Sequence, residues 1–263
     1  MALSLASGWL RDGVADLVRT AEAARALGFT GVFASRAPAD AAAGRATVRA
    51  LGLAVAGVQT DPVEDPAALR AALDRAAAGA ATLRQALVVV DAGPARPRGD
   101  GPDGKHARER AVERWSRALH ASLSAWPGLA VAWRGSADAD GLFRADETAW
   151  LLDDHADRPV GLWLDPVRAA RRAPTGAAGP ERGPADGDVL AWADRFARRT
   201  MGLAVHGVGA GGGHAPPEDG GTDWGTLLGL VPARAARVLD VGPAVPAGAV
   251  ADVRRWFEET LGG

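Results

Sequence analysis

The chain has 263 residues, 48% of them hydrophobic, with 30 basic side chains against 32 acidic ones and a net charge of -2. Cys and Tyr are absent, which excludes disulfides, thiolate metal sites, cysteine nucleophiles and a tyrosine general acid. The near-cancelling charge lacks the basic footprint of a nucleic-acid binder. The opening MALSLASGWLRDG is no basic-then-apolar leader, and no eighteen apolar residues run together, so a soluble, cytoplasmic protein with no membrane and no nucleic-acid partner is expected.

Along the chain, short β-like runs alternate with amphipathic helical segments. Ala2–Ala6 reads as the first strand, and Val14, Leu17, Val18 and Ala21 then mark a helix that stops at Gly28. Gly31–Ser35 and Leu53–Gln59 are the next strands, separated by an Ala-rich helix; Asp65 and Pro66 open another helix. Ala86–Asp91 is a β-branched strand, followed by a long helix with Val112, Trp115, Leu119 and Leu123 on one stripe. The alternation continues with strand Leu129–Arg134, a helix over Asp146–Asp154 and strand Val160–Asp165. Val189, Trp192, Ala193 and Phe196 mark a further helix before strand Gly202–His206. A short helix after Asp223, strand Ala236–Asp240 and a closing helix with Val250, Val253, Trp256 and Phe257 complete the series. Eight strands and eight helices in roughly 250 residues predict an α/β (β/α)8 TIM barrel, with residues 1–263 forming one domain.

Strand parity separates a barrel from an open sheet. In the last four strands one face reads Ala130, Ala132, Arg134; Gly161, Trp163, Asp165; Gly202, Ala204, His206; and Ala236, Val238, Asp240. The other face carries Leu129, Val131, Trp133, Leu162, Leu164, Leu203, Val205 and Leu239. Small residues ending in a polar group on one face, and bulk on the other, fit a closed barrel with a polar inner mouth. An open parallel sheet is apolar on both faces. Three Gly/Pro-rich segments, Gly93–Gly104, Ala173–Gly187 and Gly207–Gly221, interrupt the alternation as lids or as exposed insertions.

Most motifs fail on context. GVGAGG (Gly207–Gly212) follows a strand but leads to Gly213, His214, Ala215 and Pro216, with no helix to receive a pyrophosphate. Neither a Gly-x-Ser-x-Gly elbow nor an HExxH helix occurs. His106, His120 and His155 read as surface residues away from a barrel mouth. Four strand ends remain: Arg134, Asp165, His206 and Asp240.

On LVRTAEAARALGFTGVFAS, VGLWLDPVRA, GLAVHGVG and the Gly-rich stretch leading to Asp223 and Trp224, the sequence resembles the xylose-isomerase-like TIM-barrel superfamily of sugar phosphate isomerases and epimerases. The resemblance implies a divalent metal on Glu, Asp, His and Glu at strands five to eight. By position these become Arg134, Asp165, His206 and Asp240. Arg168 stands where the family has a His, Gly209 where it often has an Asp, and Phe33 where strand two carries a Glu. The implied metal site is degenerate.

A guanidinium about 4 Å from a dication costs about 8 kcal/mol at an effective dielectric of 20. Arg134 is therefore expected to replace the metal's charge and to pair with Asp165 and Asp240, with no tightly bound cofactor. Should a weak divalent cation (Mn, Zn, Mg or Co) bind, its ligands are Asp165, His206 and Asp240. Arg134 cannot act as a general base, which leaves one-sided proton transfer by Asp240 or His206 and oxyanion stabilisation by Arg134 or Arg168. Arg168, Trp163, Phe33 and His214 are the expected substrate-binding residues, with the aromatic pair as floor for a sugar ring.

The resemblance implies an isomerase or epimerase acting on, or binding, a small sugar, polyol or keto acid. The two arginines suggest an anionic sugar derivative. The apurinic endonucleases of the same fold need a His-rich three-metal cluster, which five His in a non-basic chain do not supply. Two alternatives stay open: an inactive barrel kept as a binding or scaffold subunit, and a lyase or hydrolase of a specialised pathway. A homo-oligomer is compatible with all three.

Overall fold

The computed structural model describes residues 2–9, 17–39, 41–85, 87–93, 104–135, 142–170, 188–208, 214–217 and 222–262. The strands are β1 (Ser4–Ala6), β2 (Gly31–Ala34), β3 (Ala54–Gln59), β4 (Leu87–Asp91), β5 (Ala130–Arg134), β6 (Val160–Leu164), β7 (Thr200–Val205), β8 (Gly207–Val208), β9 (His214–Ala215) and β10 (Ala236–Leu239). The helices are α1 (Leu17–Ala26), α2 (Ala41–Ala50), α3 (Pro66–Leu83), α4 (Gly104–Ala125), α5 (Ala145–Asp154), α6 (Pro166–Ala170), α7 (Val189–Arg195), α8 (Trp224–Leu230) and α9 (Ala247–Gly262). Strands β1 to β7 and β10 close into a parallel barrel, β10 pairing with both β7 and β1. This is the (β/α)8 barrel that the alternation predicts.

The parity of the strands sorts the core into two parts. Inside the barrel, Ala6, Phe33, Val89, Ala132, Trp163 and Val238 pack together. Outside it, Val131, Trp133, Leu162, Leu164, Leu203, Val205 and Leu239 join the larger core under the helices. Small interior residues leave room for one large filler: Trp163 stacks on Phe33 with ring centroids 5.0 Å apart. Gly202 exists to admit that indole, since a Cβ there would lie 2.2 Å from Trp163. β7 bulges beside it, so that Met201 also packs against the interior cluster.

Helix signals act as local chemistry dictates. Asp65 caps α3 by accepting from the Ala67 N–H at 2.7 Å, with Pro66 in the first turn. The α4 stripe Val112, Trp115, Leu119 and Leu123 is buried, and Trp115 meets Trp133 and Phe143 edge-on. Three helices end in the same way. The N–H pairs Gly28/Phe29, Gly52/Leu53 and Arg84/Gln85 turn back onto the last carbonyls of α1, α2 and α3. The turning residue is left-handed each time, with φ of 81°, 68° and 55°. At α3 that residue is Arg84, where an L side chain costs about 1–2 kcal/mol that glycine avoids.

Three expectations are corrected here. His155 is not a surface residue: it is 1% exposed, because as the C-cap residue just after α5 it turns inward against Ser116 of α4. His106 and His120 are exposed on α4, as expected. The segment after His206 is not loop throughout, since β8 and β9 pair antiparallel, Val208 opposite His214. The strand-six crossover contains two helices, α6 and α7, where one was expected. Residues 94–103, 171–187, 209–213 and 218–221, which carry most of the expected lids, lie outside the described residues, as does Val14.

Candidate functional site

Six polar side chains stand at strand ends on the inner parity: Gln59, Asp91 and Arg134 as last strand residues, and Asp165, His206 and Asp240 one residue beyond theirs. They meet in one layer above the Trp163–Phe33 pair. Arg134 is its hub, with a side chain only 4% exposed. Its Nε and Nη2 donate to Asp165 Oδ2 at 3.0 and 2.6 Å, Nη2 also to Asp240 Oδ2 at 3.1 Å, and Nη1 to Gln59 Oε1 at 3.0 Å. Gln59 passes the chain on, donating from Nε2 to Asp91 Oδ2 at 3.2 Å.

Arg168, in the first turn of α6, reaches back over the same layer. Its Nη1 and Nη2 fork onto Asp91 at 2.8 and 2.9 Å, and Nη1 also donates to the Gly135 carbonyl at 2.8 Å. Nε lies 3.3 Å from Asp165 Oδ2, and the Arg168 backbone N–H donates to Asp165 Oδ1 at 3.0 Å. The expected role of Arg168 as a free anion clamp is therefore corrected: its fork already holds a carboxylate.

The histidines form the other side. The β8–β9 hairpin lays His214 over His206, ring centroids 3.9 Å apart and 23° from parallel. His214 Nδ1 is 3.5 Å from Asp240 Oδ2. His206 Nδ1 lies 3.2 Å from the Gly207 carbonyl. His206 Nε2 comes within 3.3 Å of Asp165 Oδ1 but outside hydrogen-bonding geometry, leaving that buried nitrogen without a hydrogen-bond partner.

Two guanidiniums thus face three carboxylates, Asp91, Asp165 and Asp240. Burial alone would raise all three carboxyls, but the adjacent charges prevail. Arg134 and His206 hold Asp165 well below the usual carboxylate range. His214 and Arg134 lower Asp240, and Arg168 lowers Asp91. Burial likewise pushes His214 down, yet the bond to Asp240 raises it overall. Desolvation opposes the Arg134 charge, and Asp165 and Asp240 more than restore it.

The layer does not fit the metal that the resemblance implies. The guanidinium of Arg134 rests on Oδ2 of both Asp165 and Asp240, the oxygens a shared cation would need. A different trio, His206, His214 and Asp240, has ligand atoms within 4.8 Å of one another and can accept a cation. It excludes Asp165, whose oxygens are engaged by Arg134 and Arg168, and includes His214, which was expected to contact substrate.

Trp163 and Phe33 are also placed differently from the sequence expectation. At 2% and 3% exposure they lie under the ionic layer as barrel filling, with no ring face open to a ligand. Gln59 and Asp91 were missed as site residues. Their signal was available, because each is the polar last residue of its strand on the inner parity.

No family model matches the chain, and no curated protein matches it at a significant level. Solved structures do. An AP endonuclease, family 2, from Brucella melitensis is similar over 98% of this chain and 99% of its own, with a TM-score of 0.72 at 16% identity. An L-ribulose 3-epimerase covers 99% of this chain and 95% of its own (TM-score 0.73, 14% identity). A xylose isomerase domain protein from Alicyclobacillus acidocaldarius subsp. acidocaldarius covers 99% of both (TM-score 0.66, 15% identity). These likenesses, at 14–16% identity, show the fold, a (β/α)8 TIM barrel. Among the described residues no helix is long and apolar enough to cross a membrane.

Proposed function

We propose that this protein is a sugar isomerase/epimerase-like barrel that takes a small sugar, polyol or keto acid at the mouth formed by Arg134, Asp165, His206 and Asp240, without a tightly bound metal. The observation that carries the reading is the seat of the Arg134 guanidinium on Asp165 and Asp240, a fixed positive charge at the centre of the mouth. The sugar epimerases that share the fold support the substrate class.

The chemistry divides by access. Asp165 and His206 side chains are 2% and 0% exposed, whereas Asp240 and His214 are 18% and 34% exposed. Proton transfer therefore falls to the His214–Asp240 pair: Asp240 takes the carbon-bound proton, the proton passes to the adjacent His214, and His214 returns a proton to the enediolate. His214 faces the developing enediolate oxygen as the accessible hydrogen-bond donor, since both guanidiniums are already balanced by Asp91, Asp165 and Asp240. An anionic sugar derivative would have to displace Asp91 from Arg168 or Asp165 from Arg134, so a neutral sugar is the favoured ligand.

A second reading, a barrel that binds sugar without turning it over, is favoured by the complete engagement of both arginines. The test combines a thermal-shift screen of neutral sugars, sugar acids and sugar phosphates with proton NMR of ketoses incubated in D2O. Wild type should be stabilised by neutral sugars and wash deuterium into one carbon-bound position, and His214→Asn should lose the wash-in. Stabilisation without wash-in establishes the binding barrel. No response to any sugar overturns both readings.

A further inference from the structure

At the opposite end of the barrel, where β3 begins, α2 and α3 end side by side and leave a cleft of about 350 Å³ between them. Its floor is apolar, built from Val48, Leu53 and Leu83, and its rim carries Arg45, Arg49 and Arg84. Val55 also lines it. Val55 and Gln59 stand four residues apart on β3, about 13 Å at strand rise, so the cleft and the mouth are separate.

Among the described residues the three arginines have no carboxylate partner. None forms an ion pair with a described residue, and the single hydrogen bond among them is a long one, Arg45 Nη1 to the Thr82 carbonyl at 3.5 Å. Arg49 and Arg84 are exposed and Arg45 is half-buried. Guanidiniums near helix C-termini gain from the helix dipole, and that accounts for part of the cluster. It does not account for all of it. Three positive charges less about half a charge from each of two helix ends leave roughly +2.

Arg84 adds a second, independent observation. The turns ending α1 and α2 place glycine at the left-handed position, Gly28 and Gly52, whereas the same turn ending α3 places Arg84 there at φ 55°. The backbone is held in an arginine-averse conformation, and the side chain so placed lines the cleft. Strain that the fold avoids at two equivalent turns marks a residue kept for its side chain.

We propose that this cleft binds a small phosphomonoester with an apolar body. A phosphomonoester carries about -1.5 to -2 charges at neutral pH, which matches the residual charge of the rim, while a carboxylate leaves half of it unbalanced. Guanidinium forks meet phosphate oxygens in pairs. Half-buried Val55 and the largely buried Val48, Leu53 and Leu83 beneath it offer a small contact patch for the apolar part, and the volume falls at the lower end of small-ligand pockets.

The experiment is an NMR titration of the full chain with phenyl phosphate, following the backbone amides of Val48, Leu53 and Arg84, with benzoate and inorganic phosphate as parallel arms. Phenyl phosphate should produce saturable shifts at those amides, and each of the other two should bind more weakly. Arg49→Ala and Arg84→Gly should each weaken binding about tenfold, the loss expected for one charge-assisted contact. Arg84→Gly should also raise the ligand-free Tm, because it relieves the left-handed arginine. Absence of saturable shifts, or unchanged affinity in both variants, overturns the site. Benzoate binding as tightly as phenyl phosphate overturns the phosphate class. Inorganic phosphate binding as tightly overturns the role of the apolar floor. A lower Tm for Arg84→Gly overturns the strain argument.

Discussion

Arg168 and Asp91 meet edge to edge, Nη1 on Oδ1 at 2.8 Å and Nη2 on Oδ2 at 2.9 Å, across 77 residues of sequence. The pair fixes the start of α6 over the end of β4 and commits the second arginine of the mouth to an internal carboxylate. Asp91→Ala leaves Arg168 and Gln59 without that partner. Equilibrium urea unfolding should show a loss of about 3–5 kcal/mol, the usual cost of removing one member of a buried pair. The variant should also become newly sensitive to sugar acids in a thermal-shift screen. A loss below about 1 kcal/mol would place the pair among ordinary surface bridges.

Arg134 decides whether the mouth holds a guanidinium or a cation. Wild-type protein purified without chelator should carry well under one equivalent of Mn, Zn, Co or Mg by elemental analysis. Arg134→Glu puts a carboxylate beside Asp165, Asp240 and His206, and should be unstable until a divalent cation is supplied. Manganese at about a hundred times its dissociation constant should then restore roughly 2.7 kcal/mol. Stoichiometric metal in the wild type would sink the charge-replacement argument.

Two histidines should pull the pH profile of stability in opposite directions. His214 is raised by Asp240 against the effect of burial. Its stabilisation is complete below the unfolded value of about 6.5 and fades as pH climbs through the higher folded value. His155 is lowered, chiefly by burial. Its neutral form is the one that fits, so its contribution is complete above about pH 6.5 and fades as pH falls through the folded value. In Tm measured across pH, His214→Asn should flatten the alkaline limb and His155→Asn the acid limb. The reverse assignment of the two limbs would contradict the geometry.

The barrel interior has no spare volume around Trp163. Gly202→Ala drives a methyl to within 2.2 Å of the indole and should cost about 1–3 kcal/mol in urea unfolding. Adding Trp163→Leu should recover part of that loss, since the smaller side chain vacates the space. A double variant no better than the sum of the two single ones would show that the clash is relieved elsewhere.

Much of this architecture was legible in the residues. Strand-end parity in β5, β6, β7 and β10 separates Arg134, Asp165, His206 and Asp240 from the outward Trp133, Leu164, Val205 and Leu239, and the barrel follows from that. The same parity in β3 and β4 points to Gln59 and Asp91, but their flanking Val58, Val89 and Val90 make both strands read as uniformly apolar. The pairing of Arg168 with Asp91 was out of reach, because it depends on a helix start arriving over the end of a strand two positions earlier in the barrel series. The hairpin that brings His214 onto His206 was hidden by glycines, whose composition signals a loop whether or not the flanking residues pair. Trp163 was legible as inward-facing but not as filler. Whether an inward ring is capped depends on which partners the layer above it recruits.

The network centred on Arg134 joins partners 31, 75 and 106 residues away in sequence. A chain that has assembled only its first six strands pairs Arg134 with Asp165 and Gln59 but lacks Asp240, and a fragment starting at β6 holds Asp165 and Asp240 without Arg134 between them. Either piece leaves members of the network short of a partner that they have in the closed barrel. The ionic layer therefore acts as a check on completeness: partial barrels gain little from closing early, and the ring becomes stable when its last strand docks. Cooperativity of that kind comes from a few side chains at one rim, added to the hydrogen bonding of the sheet.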